Sequence, residues 1–169
     1  MTKRSSIFLL PCLISALAFA PQAAAQSRSH AAGNSAEESA VRKVLAGLSA
    51  ADKSGDMAAV LSHYADDAMI LPPNAPVLAG QAGVRSFYEI LFNNFRVDDV
   101  SFDADEIHVA GDWAFAQGFI NGLLTPKSEG MPARKLHEKF LIVLHRQNSA
   151  WKIYRIIWNS SEPASPPAK

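Results

Sequence analysis

The chain has 169 residues, the size of one domain with short tails. Its 16 Lys and Arg balance its 16 Asp and Glu, so no basic excess is available to hold a nucleic-acid backbone. With 49% hydrophobic and 19% charged residues it is too apolar for a disordered chain and ordinary for a folded one.

The N-terminus reads MTKRSSIFLLPCLISALAFAPQAAAQ. Lys3 and Arg4 form a positive start, Ile7 to Ala20 an apolar run, and Ala23-Ala24-Ala25 a small-residue cleavage site, the pattern of a secretory signal peptide. The run is short and interrupted by Pro11, so a membrane span is not expected, and no stable membrane anchor after cleavage. Cleavage also removes Cys12, the one cysteine, which leaves no disulfide, thiolate nucleophile or cysteine metal site. The expected organisation is a signal peptide over 1–25, a flexible leader over 26–34, a folded body over 35–160 and a Pro-rich tail over 161–169. The expected location is periplasmic or secreted.

Within the body, Ser35-Ala36-Glu37-Glu38 has the form of a capping box, and Val41, Val44, Leu45 and Leu48 follow at helical spacing. Gly55 ends that helix and Asp56 caps a second one carrying Met57, Val60, Leu61 and Tyr64. Ala68 to Leu71 predicts a short strand, stopped by Pro72-Pro73, and Val84, Phe87, Tyr88, Leu91 and Phe95 predict a third helix. The period then changes to two. Strands are expected over Val97 to Val109, Trp113 to Thr125, Ala133 to Arg146 and Trp151 to Trp158. Helices first and antiparallel strands after is the α+β pattern.

This order of elements resembles the nuclear transport factor 2-like (NTF2-like) superfamily. The string SGDMAAVLSHYADDAMILPP is similar to SnoaL-like and ketosteroid-isomerase-like members. KFLIVLHRQNSAWKIYRIIWNSS is similar to the closing hairpin of a bacterial branch of unknown function. The resemblance implies a cone-shaped, curved antiparallel sheet wrapped around three N-terminal helices, with a pocket inside. It also implies where isomerase chemistry would sit. The base would fall at Pro72, the oxyanion tyrosine at Leu48 and the protonated aspartate at about Ile142. All three are apolar, so the isomerase base and oxyanion hole are not matched and catalysis is left open. Superfolds of this kind host enzymes, binding modules and assembly domains alike.

The pocket is expected to be apolar and aromatic. Trp113, Phe115, Gln117 and Asn121 share the bulky face of one strand, and the two amides there would orient a ligand; the alternative is that this face meets solvent or a second subunit. Phe140 and Ile142 line the next strand, and Tyr154, Ile156 and Trp158 the last one. Tyr64 and Tyr88 match two tyrosines of the isomerase hydrogen-bond network, or else pack in the core with a partner for each hydroxyl. Trp158 is expected to meet Tyr88. Glu138 is the carboxylate on the presumed inner face, a candidate base or a rim residue paired with Arg134 or Lys135. His137 and His145 fall on the outer face, too far apart for one metal, and His63 beside Asp66-Asp67 has no ligand spacing, so no metal and no cofactor is expected. The reading that follows is a binding protein for a small hydrophobic molecule. Two alternatives stay open: a SnoaL-like enzyme with a relocated acid–base group, and a dimeric assembly module. A homodimer is expected through an outer face bearing Ala114, Ala116, Ile120, Leu141 and Val143.

Overall fold

The computed structural model describes residues 22–161. The expected signal peptide and Pro-rich tail fall almost wholly outside them. Three helices, α1 (Gln22–Ser54), α2 (Met57–His63) and α3 (Gly80–Asn94), precede or interleave with six strands. These are β1 (Tyr64–Leu71), β2 (Leu78–Ala79), β3 (Phe95–Ala110), β4 (Trp113–Pro126), β5 (Arg134–Gln147) and β6 (Ala150–Ser160). They form one sheet in the order β2-β1-β6-β5-β4-β3. All neighbouring pairs are antiparallel except β1 with β6, which is parallel. The fold is the expected NTF2-like α+β architecture. The parallel pair in mid-sheet is the departure from a wholly antiparallel one.

Two boundaries shift from the sequence reading. The backbone is already helical at Gln22, so Ser35 lies inside α1 instead of capping it, and the span read as a leader continues the helix. The stretch is alanine-rich and free of proline, which favours helix over the side-chain cap. Tyr64 begins β1 instead of ending α2, because α2 is a single short segment whose C-cap is Tyr64 in an extended conformation. The Asp56 cap is as expected: its carboxylate accepts from the Ala58 and Ala59 amides at 2.9 and 3.0 Å.

The helices cover one face of the sheet. Val41, Leu45 and Leu48 of α1, Val60 of α2 and Val84 of α3 bury themselves with Ile142, Leu144 and Ile153 of the sheet. Each such side chain contributes about 1.5–3 kcal/mol relative to exposure. α1 is tied to the β5–β6 end by Glu37. Its carboxylate accepts from Arg146 at 2.5 Å and from the Trp151 indole at 2.9 Å, while Arg146 also stacks over the Trp151 ring. These bonds hold the Glu37 carboxyl below its ordinary pKa.

Bulges bend the sheet around the helices. β3 slips register between Asp98 and Ser101 and again between Ala104 and Glu106. Asp99 sits at φ 49 in the first slip. Each bulge adds a residue and curls the strand. Each also resets parity, so Val97, Val100, Phe102, Ala104, Ile107 and Val109 all face the helices although their spacing is irregular.

Candidate functional site

Between the helices and the sheet lies an open-mouthed cavity of about 530 Å³. Its walls are apolar: Ile70 and Pro72 of the β1 end, Phe87 and Leu91 of α3, Val100 and Phe102 of β3, Ile120 and Leu124 of β4, and Ile156 and Trp158 of β6. Phe87 meets Trp158 edge-to-face with ring centroids 5.4 Å apart, and meets Tyr88 likewise at 5.2 Å.

Two polar groups interrupt this lining. The first is a chain of Tyr64, Tyr88 and Asp52. The tyrosine hydroxyls lie 3.0 Å apart, and the Tyr88 hydroxyl also hydrogen-bonds the Asp52 carboxyl. All three residues are buried, Asp52 to 5% exposure. The other carboxyl oxygen, Asp52 Oδ1, is buried with no hydrogen-bond partner among the described residues. Burial pushes the Asp52 carboxyl up to about 8, against which the Tyr88 bond works weakly. Burial likewise holds both tyrosine hydroxyls above their ordinary range, so they stay neutral. The second polar group is Glu138, buried at 5% exposure and ion-paired with the more exposed Arg134; both line the cavity. Glu138 is therefore both an inner-face residue and the partner of Arg134.

Asp52 escaped the sequence reading, although a signal was present. It lies one helical turn beyond Leu48 on the stripe Val41, Leu45, Leu48. A carboxylate that continues an apolar stripe must be buried, paired or functional. Leu48 is the position implied for the oxyanion tyrosine, so the polar group comes one turn further along the same helix. Leu48, Pro72 and Ile142 offer no acid–base group here.

Of the expected pocket residues, Tyr64, Tyr88, Ile156 and Trp158 line the cavity. Phe140 and Ile142 are buried on the helix-facing side of β5 without lining it. Trp113, Phe115, Gln117 and Asn121 point the other way. The buried residues of β4 are Ala114, Ala116, Gly118, Ile120 and Leu124, so the face expected to be outer is the inner one. The reason is space. A Cβ on Gly118 would meet the Asp103 carbonyl oxygen at 2.0 Å, so the inner side of β4 admits only small residues at that level. The large side chains pave the outer face against histidines of the neighbouring strands. Trp113 stacks on His145 at 4.0 Å, Phe119 on His137 at 4.8 Å and Phe115 on His108 at 5.5 Å between ring centroids. The two amides are used there as well. Asn121 Nδ2 donates to Asp103 at 2.7 Å, and Gln117 Nε2 to Glu106 at 3.2 Å.

Tyr154 is also outside. A register slip between Val143 and Leu144 leaves it unpaired on a bulge, so Tyr154 and Ile156 fall on opposite faces despite their even spacing. Tyr154 contacts Trp113 edge-to-face and carries the Arg155 guanidinium over its ring at 3.5 Å. Trp158 sits opposite Phe140 in the register and meets Phe87 in place of the expected Tyr88. Trp158→Ala should cost about 2–3 kcal/mol by urea unfolding, below the usual loss for a fully packed aromatic, because one side of the indole faces the cavity.

Among the described residues no group of three His, Cys, Asp or Glu side chains is arranged to hold a metal ion. No described helix is long and apolar enough to cross a membrane.

Residues 41–140 match the SnoaL-like domain. The chain belongs to this family. Solved structures similar to this SnoaL-like domain include a ketosteroid isomerase-like protein from Erwinia carotovora atroseptica, with 21% identity over 74% of this chain and 96% of that one, at a TM-score of 0.66. A dehydratase-like member of the NTF2-like family from Streptomyces avermitilis is similar at 20% identity over 76% and 99%, TM-score 0.62. An NTF2-like protein with a cystatin-like fold from Novosphingobium aromaticivorans is similar at 14% identity over 85% and 92%, TM-score 0.59. At these identities the likeness is one of fold. Among curated proteins none matches this SnoaL-like chain.

Proposed function

We propose that this SnoaL-like domain binds a small, largely hydrophobic molecule inside the cone. The observation that carries the reading is Asp52 Oδ1, a buried oxygen without a partner among the described residues, at a mostly apolar cavity of about 530 Å³. An unpaired buried oxygen costs free energy in the folded state. A ligand that supplies a donor recovers that cost while its apolar body fills the rest. Native mass spectrometry of protein purified from its own host should show a retained small molecule. Protein that carries none, and that also fails to bind an environment-sensitive apolar dye, would remove this reading.

A second reading, an enzyme with a relocated acid–base group, is favoured by one feature. A carboxyl pushed up to about 8 by burial exchanges its proton near neutral pH, which suits general acid–base work. Asp52 thus replaces Glu138 as the candidate group, with Tyr88 as the neighbouring donor. Incubation in heavy water should then place deuterium in a retained ligand, and Asp52→Asn should stop the exchange while leaving the ligand bound. An unlabelled ligand after prolonged incubation leaves the protein a binder.

The proposal extends to the surroundings. The signal-like N-terminus supports export to the periplasm or medium. The outer face supports self-association: Leu141 (44% exposed) and Ile157 (42%) stand opposite each other on β5 and β6, and Trp113 (44%) lies further along the same face on β4. Light scattering at micromolar concentration should give twice the chain mass, and Leu141→Lys should halve it. A monomer in the unsubstituted protein would refute the pairing.

A further inference from the structure

The polar end of the cavity has a charge character that narrows the ligand. Among the described residues of its lining, the charged ones are Asp52, Glu138 and Arg134. Glu138 and Arg134 already pair with each other. An ionised Asp52 would therefore leave the cavity one negative charge in excess, with no cation to face it. The groups beside Asp52 are the hydroxyls of Tyr88 on α3 and Tyr64 on β1, which donate hydrogen bonds but carry no charge. The cavity thus holds a carboxyl with one oxygen bonded to a tyrosine and the other unpartnered. Close by, Phe87, Tyr88 and Trp158 form an edge-to-face cluster of rings in the same lining.

We propose that the cavity selects an apolar amine, whose ammonium group pairs with Asp52 while its hydrocarbon body lies against the Phe87, Tyr88 and Trp158 rings. The assignment rests on the binding reading above and names the ligand class for it. Three ligand types can be compared on the same residues. An apolar carboxylate would bring a negative charge into a lining whose one cation, Arg134, is already paired with Glu138. An alcohol would satisfy Oδ1 but leave Asp52 either protonated or unpaired in charge. An ammonium satisfies the oxygen, balances the charge, and is attracted to the negative faces of aromatic rings. Without a cation beside it the carboxyl holds its proton up to about pH 8. Entry of an ammonium therefore displaces that proton, with the ammonium itself already charged: one N–H···O bond forms, and the carboxyl proton leaves to buffer. Nothing else changes charge, since both tyrosines stay neutral and Arg134 stays paired with Glu138.

Isothermal titration of the purified full chain tests this with three probes of nearly matched shape: 2-naphthylmethylamine, 2-naphthylmethanol and 2-naphthoate. At pH 7 the amine should bind at least about tenfold more tightly than the alcohol, and the carboxylate more weakly than either. Repeating the amine titration in phosphate and in Tris, whose ionisation enthalpies differ, should reveal release of close to one proton per amine bound. Amine affinity should rise nearly tenfold per pH unit from pH 6 and level off near pH 8. Asp52→Asn should abolish the proton release and the preference for amine. The proton count on the unsubstituted protein stands even if that variant misfolds. Equal or tighter binding of the alcohol or carboxylate, or amine binding without proton release, overturns the amine assignment and leaves the binding reading intact. Failure of all three probes and of the apolar dye removes both.

Discussion

Replacing Asp52 by Asn should leave stability nearly unchanged at pH 4 and raise it by roughly 5–6 kcal/mol at pH 9. The carboxyl titrates near its ordinary value of 3.8 in the unfolded chain and at about 8 in the folded one. Between those values the folded state holds the proton and the unfolded state does not. Stability from this group is therefore complete below about pH 4 and is lost as pH rises through 8. Asparagine has almost the same shape, can accept from the Tyr88 hydroxyl and has no charge to desolvate, so it removes the loss. Glu37 and Asp98 act in the opposite sense. Hydrogen bonds from Arg146 and Trp151 to Glu37, and from Arg96 and Thr125 to Asp98, lower those two carboxyls, and their stabilisation disappears as pH falls below the carboxylate range. They are common to both proteins, so the difference between the two urea-derived stability curves isolates Asp52. Parallel curves across pH 4 to 9 would show that this carboxyl is not desolvated as described.

The second large effect is expected at Gly118. A methyl group there would stand 2.0 Å from the Asp103 carbonyl oxygen and 2.9 Å from the Ala104 Cα. Both are backbone atoms of β3, so no side chain can turn away to make room. Gly118→Ala should cost about 3 kcal/mol in urea unfolding, through separation of β3 from β4 next to the second bulge. Gly111 gives the control. It sits in the β3–β4 turn at φ 62, and a methyl group there would meet nothing within 4 Å, so Gly111→Ala should cost only about 1 kcal/mol, from backbone conformation alone. Equal losses at the two positions would contradict the close approach.

These two sites mark where the sequence was legible and where it was not. The helices, the later strands and the order of elements follow from local period, caps and turns, because those signals act within a few residues. The inward row of β5, Glu138, Phe140, Ile142 and Leu144, also follows, because lysines and histidines occupy the alternate positions. On β4 both rows are free of charge, and size points the wrong way. Only the register with β5 resolves it: Ala116 stands opposite Ile142, and Phe115 opposite Val143. Opposed residues share a face, so the small row is the inner one. The inversion of Tyr154 depends on a bulge between β5 and β6, and a bulge is not visible in a two-residue period. Asp52 was legible in principle as a charge on an apolar stripe. What it faces became legible only with Tyr88 and Tyr64 placed against it from two other elements.

The parallel pairing of β1 with β6 joins chain segments that are far apart in order. Tyr64 stands beside Ile153, and Ile70 beside Ile156. Until residues 150–160 are available, β1 has only the two-residue β2 as a strand neighbour, and the wall carrying Ile156 and Trp158 does not exist. Contacts of such long sequence separation form slowly and late. A chain emerging from the ribosome therefore cannot close its cone until residues 150–160 have been made and freed to pair with β1.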